Sequence, residues 1–372
     1  MRIALVHDYL KEYGGAESVL ENLSDIFPNA DIFTTVYRPS FFGPHRQRLE
    51  KKWSHRIHQS FFSYFPMAHK LLSPFRFLSP IAFRSFDFSG YDLIISSATG
   101  AFFPNSLNKK QARLICYCHT PPRYLYNLAT ARSLDSWFYR LVNIPLQIVL
   151  HFFRILDFKY AQNVDQFIAN SQTTAGRITK FYRRDSVIIN PPVDLPENNP
   201  EVKNAIKKTE SFYLTGGRLT LAKRYDIAIE ACNRLGLPLK VFGRGFAGYS
   251  DQLKAIAGPT IEFLGEITQD QKNQLLREAK AFLFCSDNED FGIVAVEAQG
   301  FGTPVIGYQS GGIRETVIDG KTGVLFDKLT PESCQTALKK FISSKINPQD
   351  CVANSRQFSK EKFAQKIKKL VS

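Results

Sequence analysis

Two glutamates, Glu289 and Glu297, lie eight positions apart around Gly292 and are the residues of this sequence best suited to chemistry. Gly292 predicts the start of a helix, with Glu289 just outside it and Glu297 within it. An acid near a helix N-terminus is ordinary, because the helix dipole favours negative charge there. A capping role would leave Glu297 unexplained, whereas a carboxylate can accept two hydrogen bonds from a vicinal diol such as a ribose.

Two permanent cations, Arg218 and Lys223, follow Gly217 on a predicted loop that enters a helix. Arg binds phosphate as a fork and Lys as a point charge, and free amides at a helix N-terminus add to the attraction. The set suits a diphosphate, and a solvated basic face is the alternative. The helix that begins at Gly292 and Ile293 is expected to direct a second N-terminus to the same place.

Two glycines and a histidine in the first half have comparable positions. Gly14 and Gly15 follow the first predicted strand and precede a helix, and His119 ends the fourth predicted strand. A histidine on a rigid turn is either a substrate hydrogen-bonding group or a satisfied structural residue. Gly243 lies in FGRGFAG, a weak match to the dinucleotide fingerprint that does not follow the first strand of its domain. We interpret Gly243 as allowing the backbone to approach a nucleotide.

Cys116, Cys118 and His119 are metal-ligand types in one short run. Successive residues of a strand point to opposite faces, and the sequence offers no fourth ligand. We therefore interpret the cysteines as small buried apolar side chains and expect no metal and no organic cofactor.

Strand and helix patterns alternate in both halves of the sequence, which predicts two parallel sheets in an α/β fold. Ligands of such folds bind at the carboxyl ends of the strands. The residues above are all expected at such ends, facing one cleft. The predicted strands are RIALVHD, DIFTTVY, YDLIISS, ARLICYCHT and DQFIANS, then SFYLTGG, LPLKVFG, IEFLGEI, AFLFCSD, TPVIGYQ and GVLFD.

Four prolines and a polar tract interrupt this alternation between Ile189 and Asn204, as expected of an interdomain linker. We predict an N-terminal domain over 1–190, a C-terminal domain over 191–355, and a helix over 356–372 that packs back on the N-terminal domain. The apolar face of this helix contains Phe363, Ile367 and Leu370.

Composition narrows the class of protein. Hydrophobic residues make up 44% and charged residues 22%, which is ordinary for a globular chain. Six cysteines form no disulfide framework, so a reducing cytoplasm is expected. The N-terminus predicts a buried strand and not a signal peptide. The most apolar run, LVNIPLQIVLHFF, is too short and too polar for a membrane span and predicts a buried helix.

The formal net charge of +14 predicts an anionic partner. Between Lys51 and Phe86 the sequence has six Lys or Arg, nine aromatic residues and no acid. Such a segment serves an anionic membrane surface or nucleic acid, or its aromatics form the core of a helical insertion. We favour the membrane surface and expect no nucleic acid, because no nucleic-acid-binding motif is present.

The whole set resembles the retaining GT-B glycosyltransferases of family four. The resemblance covers nearly the whole chain and rests on the Glu-x7-Glu motif from Glu289 to Glu297, with GRLTLAKRYD upstream and GTPVIGYQSGGIRETV downstream. It implies a GT-B fold, with two Rossmann-like domains whose parallel sheets face a central cleft. Asp290, where many members have Gly, together with CHTPPRYLYN and GGAE, is similar to the mannosyltransferase-like subgroup of bacterial polysaccharide assembly.

The resemblance implies roles for single residues. His119 would meet the donor sugar, with its carbonyl near the anomeric carbon, and Gly15 would approach the donor phosphate or the acceptor. Glu289 would bind sugar hydroxyls and Glu297 the ribose. The expected catalytic residues are His119, Glu289, Arg218 and Lys223. The expected contacts of the nucleotide sugar are Gly14, Gly15, Gly217, Arg218, Lys223, Gly243, Glu289, Gly292, Ile293 and Glu297.

The implied activity is transfer of a hexose from a nucleoside diphosphate sugar, first of all mannose from GDP-mannose, to a glycan or lipid-linked acceptor in cell-surface polysaccharide assembly. No second carboxylate is placed as a nucleophile, so front-face departure with retention is expected, with Arg218 and Lys223 stabilising the leaving diphosphate. The enzyme is expected on the inner face of the cell membrane. A GT-B sugar-nucleotide epimerase and a non-catalytic basic membrane- or nucleic-acid-binding protein are the alternatives.

Overall fold

The computed structural model describes residues 1–53, 55–65, 72–126, 128, 137–196, 212–246 and 248–372. The described residues form two compact units. The first runs to Pro192 and also contains Phe363–Ser372, and the second lies between Val193 and Lys362. Of the predicted linker, residues 197–204 lie outside the described residues.

The first unit contains a sheet of seven parallel strands in the order β3-β2-β1-β4-β5-β6-β7. The strands are β1 (Ile3–His7), β2 (Asp31–Thr34), β3 (Ile57–Gln59), β4 (Leu93–Ala98), β5 (Arg113–Cys118), β6 (Gln166–Ala169) and β7 (Ser186–Ile188). The helices that accompany them are α1 (Gly15–Ile26), α2 (Arg46–Trp53), α3 (Leu72–Arg84), α4 (Trp137–Gln162) and α5 (Gln172–Tyr182).

The second unit contains a sheet of six parallel strands in the order β10-β9-β8-β11-β12-β13. The strands are β8 (Tyr213–Gly216), β9 (Leu239–Phe242), β10 (Ile261–Gly265), β11 (Phe282–Phe284), β12 (Val305–Tyr308) and β13 (Gly323–Phe326). The helices are α6 (Tyr225–Leu235), α7 (Tyr249–Ala255), α8 (Gln269–Glu278), α9 (Ile293–Gly300), α10 (Ile313–Thr316), α11 (Pro331–Ser343) and α12 (Pro348–Ser355).

Each sheet is buried on both faces, because successive strand residues alternate between two cores. In β1, Val6 belongs to a core shared with α3, α4 and α5, whereas Leu5 belongs to a core shared with α1 and α2. The last helix, α13 (Lys360–Val371), adds Phe363 and Ile367 to the core that contains Leu5. The ring of Phe363 lies 6.0 Å from that of Tyr117 in β5.

All eleven predicted strands are present, and the two-sheet α/β prediction is confirmed. The sequence interpretation missed β3 and β7, the two outer strands of the first sheet. Each has three residues, too few to establish a pattern, and each is partly exposed at the sheet edge, as its position allows.

The aromatic residues between Lys51 and Phe86 divide between core and surface. Trp53, Phe62 and Phe83 are fully buried, and the indole of Trp53 donates a hydrogen bond to Ser24 Oγ at 3.0 Å. Tyr64, in contrast, is 85% exposed. The segment is therefore partly a core element, as the alternative interpretation expected, and partly a surface.

Most described basic side chains of this segment contact the protein itself. Lys52 pairs with Glu21 and Asp25, and Arg56 donates to the carbonyl of Pro28 at 2.7 Å. In the same way, the Arg76 guanidinium lies over the Tyr124 ring and Arg84 donates to the carbonyl of Ser106. These cations stabilise the first unit, so the charge that they offer to an external anion is reduced.

A different apolar surface lies on α3 and α4, which contact each other through the rings of Phe77 and Phe153, 4.5 Å apart. α4 exposes large apolar side chains at helical spacing, and α3 exposes two more. We call these residues the α3–α4 surface: Leu78, Ile81, Ile148, Phe152 and Ile155. In the described part of the chain, no helix combines the length and apolar content that crossing a membrane requires.

Asp157 of α4 is a buried carboxyl group that accepts a hydrogen bond from the hydroxyl of Tyr126 at 2.8 Å. Burial raises its pKa from the ordinary 3.8 to about 7. The folded protein therefore keeps a proton that the unfolded chain releases above pH 4. This contribution to stability is present at low pH and is lost as the pH rises through 7.

We expect the free energy of unfolding of the wild type to fall between pH 4.5 and 7 relative to Asp157→Asn, by about 3 kcal/mol. The Asn variant keeps an uncharged acceptor for Tyr126 and removes the titration. Urea unfolding of both proteins across this range measures the difference. A difference that stays constant with pH would contradict the assignment.

Candidate active site

His119 lies at the carboxyl edge of the first sheet, immediately after β5, and is half-buried. Its amide donates to Ala98 O at 2.9 Å, which continues the pairing of β4 with β5. Its carbonyl accepts hydrogen bonds from Asn170 Nδ2 at 2.9 Å and Thr174 Oγ1 at 3.2 Å. The amide and the carbonyl of His119 are therefore both held, which fixes the backbone from which the imidazole projects.

The imidazole of His119 is neutral near pH 7. Burial lowers the pKa of His119 to about 3. Its Nε2 lies 3.0 Å from Ser97 Oγ of β4. A neutral imidazole binds through one donor and one acceptor nitrogen, so His119 suits the recognition of hydroxyl groups and not of an anion.

Gly14 and Gly15 form the N-terminus of α1. Gly14 is the N-cap, and its amide donates to Glu17 Oε2 at 2.9 Å. Gly15 is the first helical residue and is exposed. The amide of Gly14 is thus already bonded within the protein, and Gly15 is the member of the pair that offers its backbone at the surface.

In the second unit, Gly217 and Gly243 follow neighbouring strands and touch each other. Gly217 has φ +132° after β8, and Gly243 has φ +124° after β9. A Cβ on Gly243 would lie 1.7 Å from the carbonyl oxygen of Gly217. Gly243 therefore has a structural reason to be glycine, in the contact of two loops, in addition to any approach to a nucleotide.

Lys223 and Glu289 form an ion pair in the second unit. Lys223 ends a short 3₁₀ helix after the loop that carries the exposed Arg218. Ser286 Oγ donates to Glu289 Oε2 at 2.8 Å, which gives that carboxylate a second partner. The structure thus places two of the predicted catalytic side chains in direct contact, with the predicted second cation on the adjoining loop.

The backbone of Glu289 is fixed by the glycines of the downstream motif. Gly312 donates to Glu289 O at 2.8 Å, and a Cβ on Gly311 would lie 2.1 Å from that same oxygen. Gly311 also has φ +71°. Residues 311 and 312 must therefore be glycines for the strand-like contact with Glu289 to form, which links the two parts of the motif physically.

Glu297 lies in the second turn of α9, for which Gly292, with φ +89°, is the N-cap and Ile293 the first residue. The Glu297 side chain is buried and both of its oxygens accept from Lys272 Nζ at 2.9 Å. A carboxylate held by one lysine keeps lone pairs available for further hydrogen bonds, which is what a diol requires.

Sequence reasoning missed several residues that hold these groups. Lys272 on α8, Ser286 after β11, and Ser97 and His7 in the first sheet were not identified. A buried glutamate on an apolar helix does indicate that some cation must lie nearby, because unpaired buried charge is costly. Which of the many lysines supplies it is a property of the fold. Among the described residues, no group of His, Cys, Asp and Glu is arranged to hold a metal ion.

Two family models together match most of the chain. The Glycosyltransferase Family 4 model matches residues 13–197, and the Glycosyl transferases group 1 model matches residues 197–358. HepE of Anabaena, solved in complex with UDP-glucose, aligns with a TM-score of 0.71 at 18% identity, covering 100% of this chain and 99% of that one. That likeness shows the fold alone.

Two curated relatives are similar in sequence. The alpha-1,3/1,6-mannosyltransferase ALG2 of Dictyostelium discoideum is 27% identical, with 76% of each chain covered. The D-inositol 3-phosphate glycosyltransferase of Nocardioides sp. is 26% identical, and the match covers 48% of this chain but only 46% of that protein.

Two parallel-sheet units of this kind, with this likeness, show the GT-B fold. The chain belongs to glycosyltransferase family four. This membership favours a sugar-transferring enzyme over the epimerase and the non-catalytic binding protein that the sequence left open.

Gly243→Ala is expected to lower the free energy of unfolding by about 2–4 kcal/mol, because its Cβ would collide with the Gly217 carbonyl. Gly248→Ala is the matched control: Gly248 also has positive φ, +77°, but nothing lies within 4 Å of its added Cβ. It should lose about 1 kcal/mol from backbone strain alone. Thermal unfolding compares the two, and equal losses would show that the contact with Gly217 is unimportant.

Proposed function

We propose that the protein is a retaining hexosyltransferase that uses a nucleoside diphosphate sugar, with GDP-mannose as the first candidate. The observation that carries this proposal is the contact between Lys223 and Glu289 beside the Arg218 loop. The similarity to ALG2, an alpha-1,3/1,6-mannosyltransferase, supports mannose as the sugar. The acceptor is proposed to be a glycan or a lipid-linked glycan in cell-surface polysaccharide assembly.

The leaving diphosphate is proposed to bind at Arg218, Lys223 and the amino end of α9. In the donor-free protein, Lys223 pairs with Glu289. An arriving diphosphate therefore competes with the Glu289 carboxylate for the ammonium group of Lys223. Glu289 is then released toward the hydroxyls of the sugar. As the glycosidic bond breaks, negative charge grows on the phosphate, and fixed positive groups stabilise the transition state more than the ground state.

Glu297 is proposed to bind the ribose, held in place by Lys272. A ribose does not change its charge during transfer, so this contact contributes to donor affinity more than to the rate of the chemical step. No metal ion is part of the proposal, because Arg218 and Lys223 supply the positive charge.

In the first unit, Asp8 is a carboxylate next to His7, but its placement does not suit a nucleophile. It is fully buried, and its Oδ2 accepts from the amides of Ala101 and Phe102 and from Thr99. Burial also raises the pKa of Asp8. Asp8 therefore holds the loop after β4, and the proposal keeps front-face departure without a covalent intermediate.

Peripheral docking to an anionic membrane is proposed for the first unit. The α3–α4 surface presents five exposed apolar side chains. Tyr64 and Phe65 are also exposed, in the segment from Lys51 to Phe86 that includes α3 and that we call the basic segment. Apolar insertion would supply affinity and the basic residues an additional salt-dependent attraction. A lipid-linked acceptor makes residence at the inner face of the cell membrane useful, and we propose that location.

The class of reaction is tested by incubating the protein with a panel of nucleotide sugars that includes GDP-mannose and UDP-glucose. We expect thermal stabilisation by one donor and a product with the anomeric configuration of that donor, read by proton NMR. An inverted product would exclude the front-face mechanism. No stabilisation by any member of the panel would exclude the proposed donor class.

Lys223→Ala is expected to reduce turnover at saturating donor roughly 100- to 1,000-fold, the usual cost of removing one preorganised charge donor. The dissociation constant of the donor should change much less. Glu297→Ala should show the reverse pattern, with weaker donor binding and a smaller loss of turnover. Steady-state kinetics and calorimetry on both variants measure the split.

Lys254→Ala, which removes an exposed lysine of the same unit, controls for the change in net charge. Circular dichroism establishes that each variant is folded. If Lys223→Ala retains near-normal turnover at saturating donor, the diphosphate is stabilised elsewhere and the role of Lys223 in the proposal is wrong.

The membrane proposal is tested by flotation with vesicles that contain anionic lipid, at low and high salt. Phe152→Ser combined with Ile155→Ser should weaken binding about tenfold or more, since each side chain loses the free energy of apolar burial. Ile342→Ser is the matched control, because Ile342 is equally exposed, at 59%, in the second unit. Neutralising Lys51, Lys52, Arg56, Arg76 and Arg84 reports separately on the basic segment.

Equal binding by the wild type and the Phe152 and Ile155 double variant would remove the α3–α4 surface from the proposal. Binding that is unaffected by salt and by neutralising the five cations would remove the basic segment. Absence of flotation even at low salt would exclude membrane docking altogether.

A further inference from the structure

Two side chains at the carboxyl edge of the first sheet, His7 and Ser97, connect Glu17 at the N-terminus of α1 to His119. His7 Nδ1 lies 3.0 Å from Ser97 Oγ, and Ser97 Oγ lies 3.0 Å from His119 Nε2. At the other end, His7 Nε2 lies 3.6 Å from Glu17 Oε1. His7 and Ser97 are 1% and 0% exposed, so water does not compete with these contacts.

Glu17 is the charged end of this chain of contacts. Its Oε2 accepts from the amide of Gly14, and its position in the first turn of α1 lies in the favourable field of the helix dipole. Its other oxygen faces His7 Nε2, a buried nitrogen that has no hydrogen-bond partner within the described chain. A carboxylate favours a proton on the nitrogen that faces it.

The remaining protons follow from the valence of each group. If neutral His7 has its proton on Nε2, its Nδ1 is an acceptor, so the Ser97 hydroxyl must donate to it. A serine hydroxyl has one proton, so Ser97 can then only accept from His119. His119 must place its own proton on Nε2, which leaves its Nδ1 as an acceptor. No described residue hydrogen-bonds that Nδ1.

We propose that Glu17, acting through a neutral His7 and Ser97, fixes His119 as the neutral tautomer protonated on Nε2, with Nδ1 free to accept a hydrogen bond from a hydroxyl of the substrate. Glu17, His7 and Ser97 are positioning residues, because they act through His119. The tautomer itself is independent of the proposed function. Only the identification of the hydroxyl with the donor sugar rests on it.

One isosteric substitution can reverse the direction of donation along the hydrogen bonds from Glu17 to His119. In Glu17→Gln, the amide oxygen can still accept from Gly14, which orients the amide NH₂ group toward His7. His7 Nε2 then becomes an acceptor, its Nδ1 donates to Ser97, and Ser97 donates to His119 Nε2. The proton of His119 must move to Nδ1, three contacts away from the substitution.

The test is two-bond ¹H–¹⁵N correlation NMR of the full chain with ¹⁵N-labelled histidine, which distinguishes the two neutral tautomers and the imidazolium. The seven histidines are few enough for His7→Gln and His119→Gln to assign the two signals. We expect the Nε2–H tautomer at both residues in the wild type, and the Nδ1–H tautomer at both in Glu17→Gln. The wild-type spectrum alone overturns the proposal if His119 is protonated on Nδ1 or is an imidazolium at neutral pH.

Ser97→Ala removes the connecting hydroxyl and should leave His119 as a mixture of tautomers. Ser96→Ala is the matched control, since Ser96 is equally buried in β4 but donates to Asn105 on the other face of the sheet. An unchanged His119 signal in Ser97→Ala, or an equal change in Ser96→Ala, would contradict the proposal. Spectra of folded Glu17→Gln that keep the wild-type tautomers would contradict it as well.

Steady-state kinetics test whether the tautomer of His119 affects turnover. With the donor identified, Ser97→Ala should lower turnover roughly 10- to 100-fold, the range for removing an outer group that orients a histidine. Ser96→Ala should stay within about twofold of the wild type. Altered tautomers with unchanged turnover would mean that His119 Nδ1 does not bind the reacting sugar, while the NMR result would stand even if the protein used another donor.

Discussion

Two ion pairs between a glutamate and a lysine organise the second unit. Each glutamate of the Glu-x7-Glu motif is held by one lysine, Glu289 by Lys223 and Glu297 by Lys272. An unpaired carboxylate at the buried position of Glu297 would be costly. The two lysines come from different elements, so both ion pairs form only when α8, α9 and the loop after β8 are all in place.

Glycines impose a second constraint on the loops of this unit, because a residue with a Cβ could not let the backbone segments approach so closely. Gly243 meets the Gly217 carbonyl, and Gly311 meets the carbonyl of Glu289. Each contact joins loops that follow different strands of the same sheet. The charged side chains therefore project from loops that are bound to one another through their backbones, which reduces the reorganisation needed when a charged ligand arrives.

The sequence was sufficient for the two-sheet fold and for all its described strands except β3 and β7, because nearly all the others have four or more residues, enough to show a local pattern. It was insufficient where contact depends on strand order. His7 and Ser97 are ninety positions apart and meet only because β1 pairs with β4. It was also insufficient for Phe61 and Phe62, adjacent residues of one type, of which one is exposed and the other buried. Composition cannot determine whether an aromatic residue in a short irregular segment is buried or exposed.

The position of the last helix in the sequence affects how the first unit folds during translation. Phe363 and Ile367 complete one of the two cores of the first unit, whereas the opposite core contains no residue of that helix. During translation, the face of the first sheet that packs against α3, α4 and α5 can consolidate early. The core on the other face, which needs Phe363 and Ile367, can be completed only after the whole second unit has been synthesised. Domains generally fold as they emerge, so the unit that begins first is the one that finishes last.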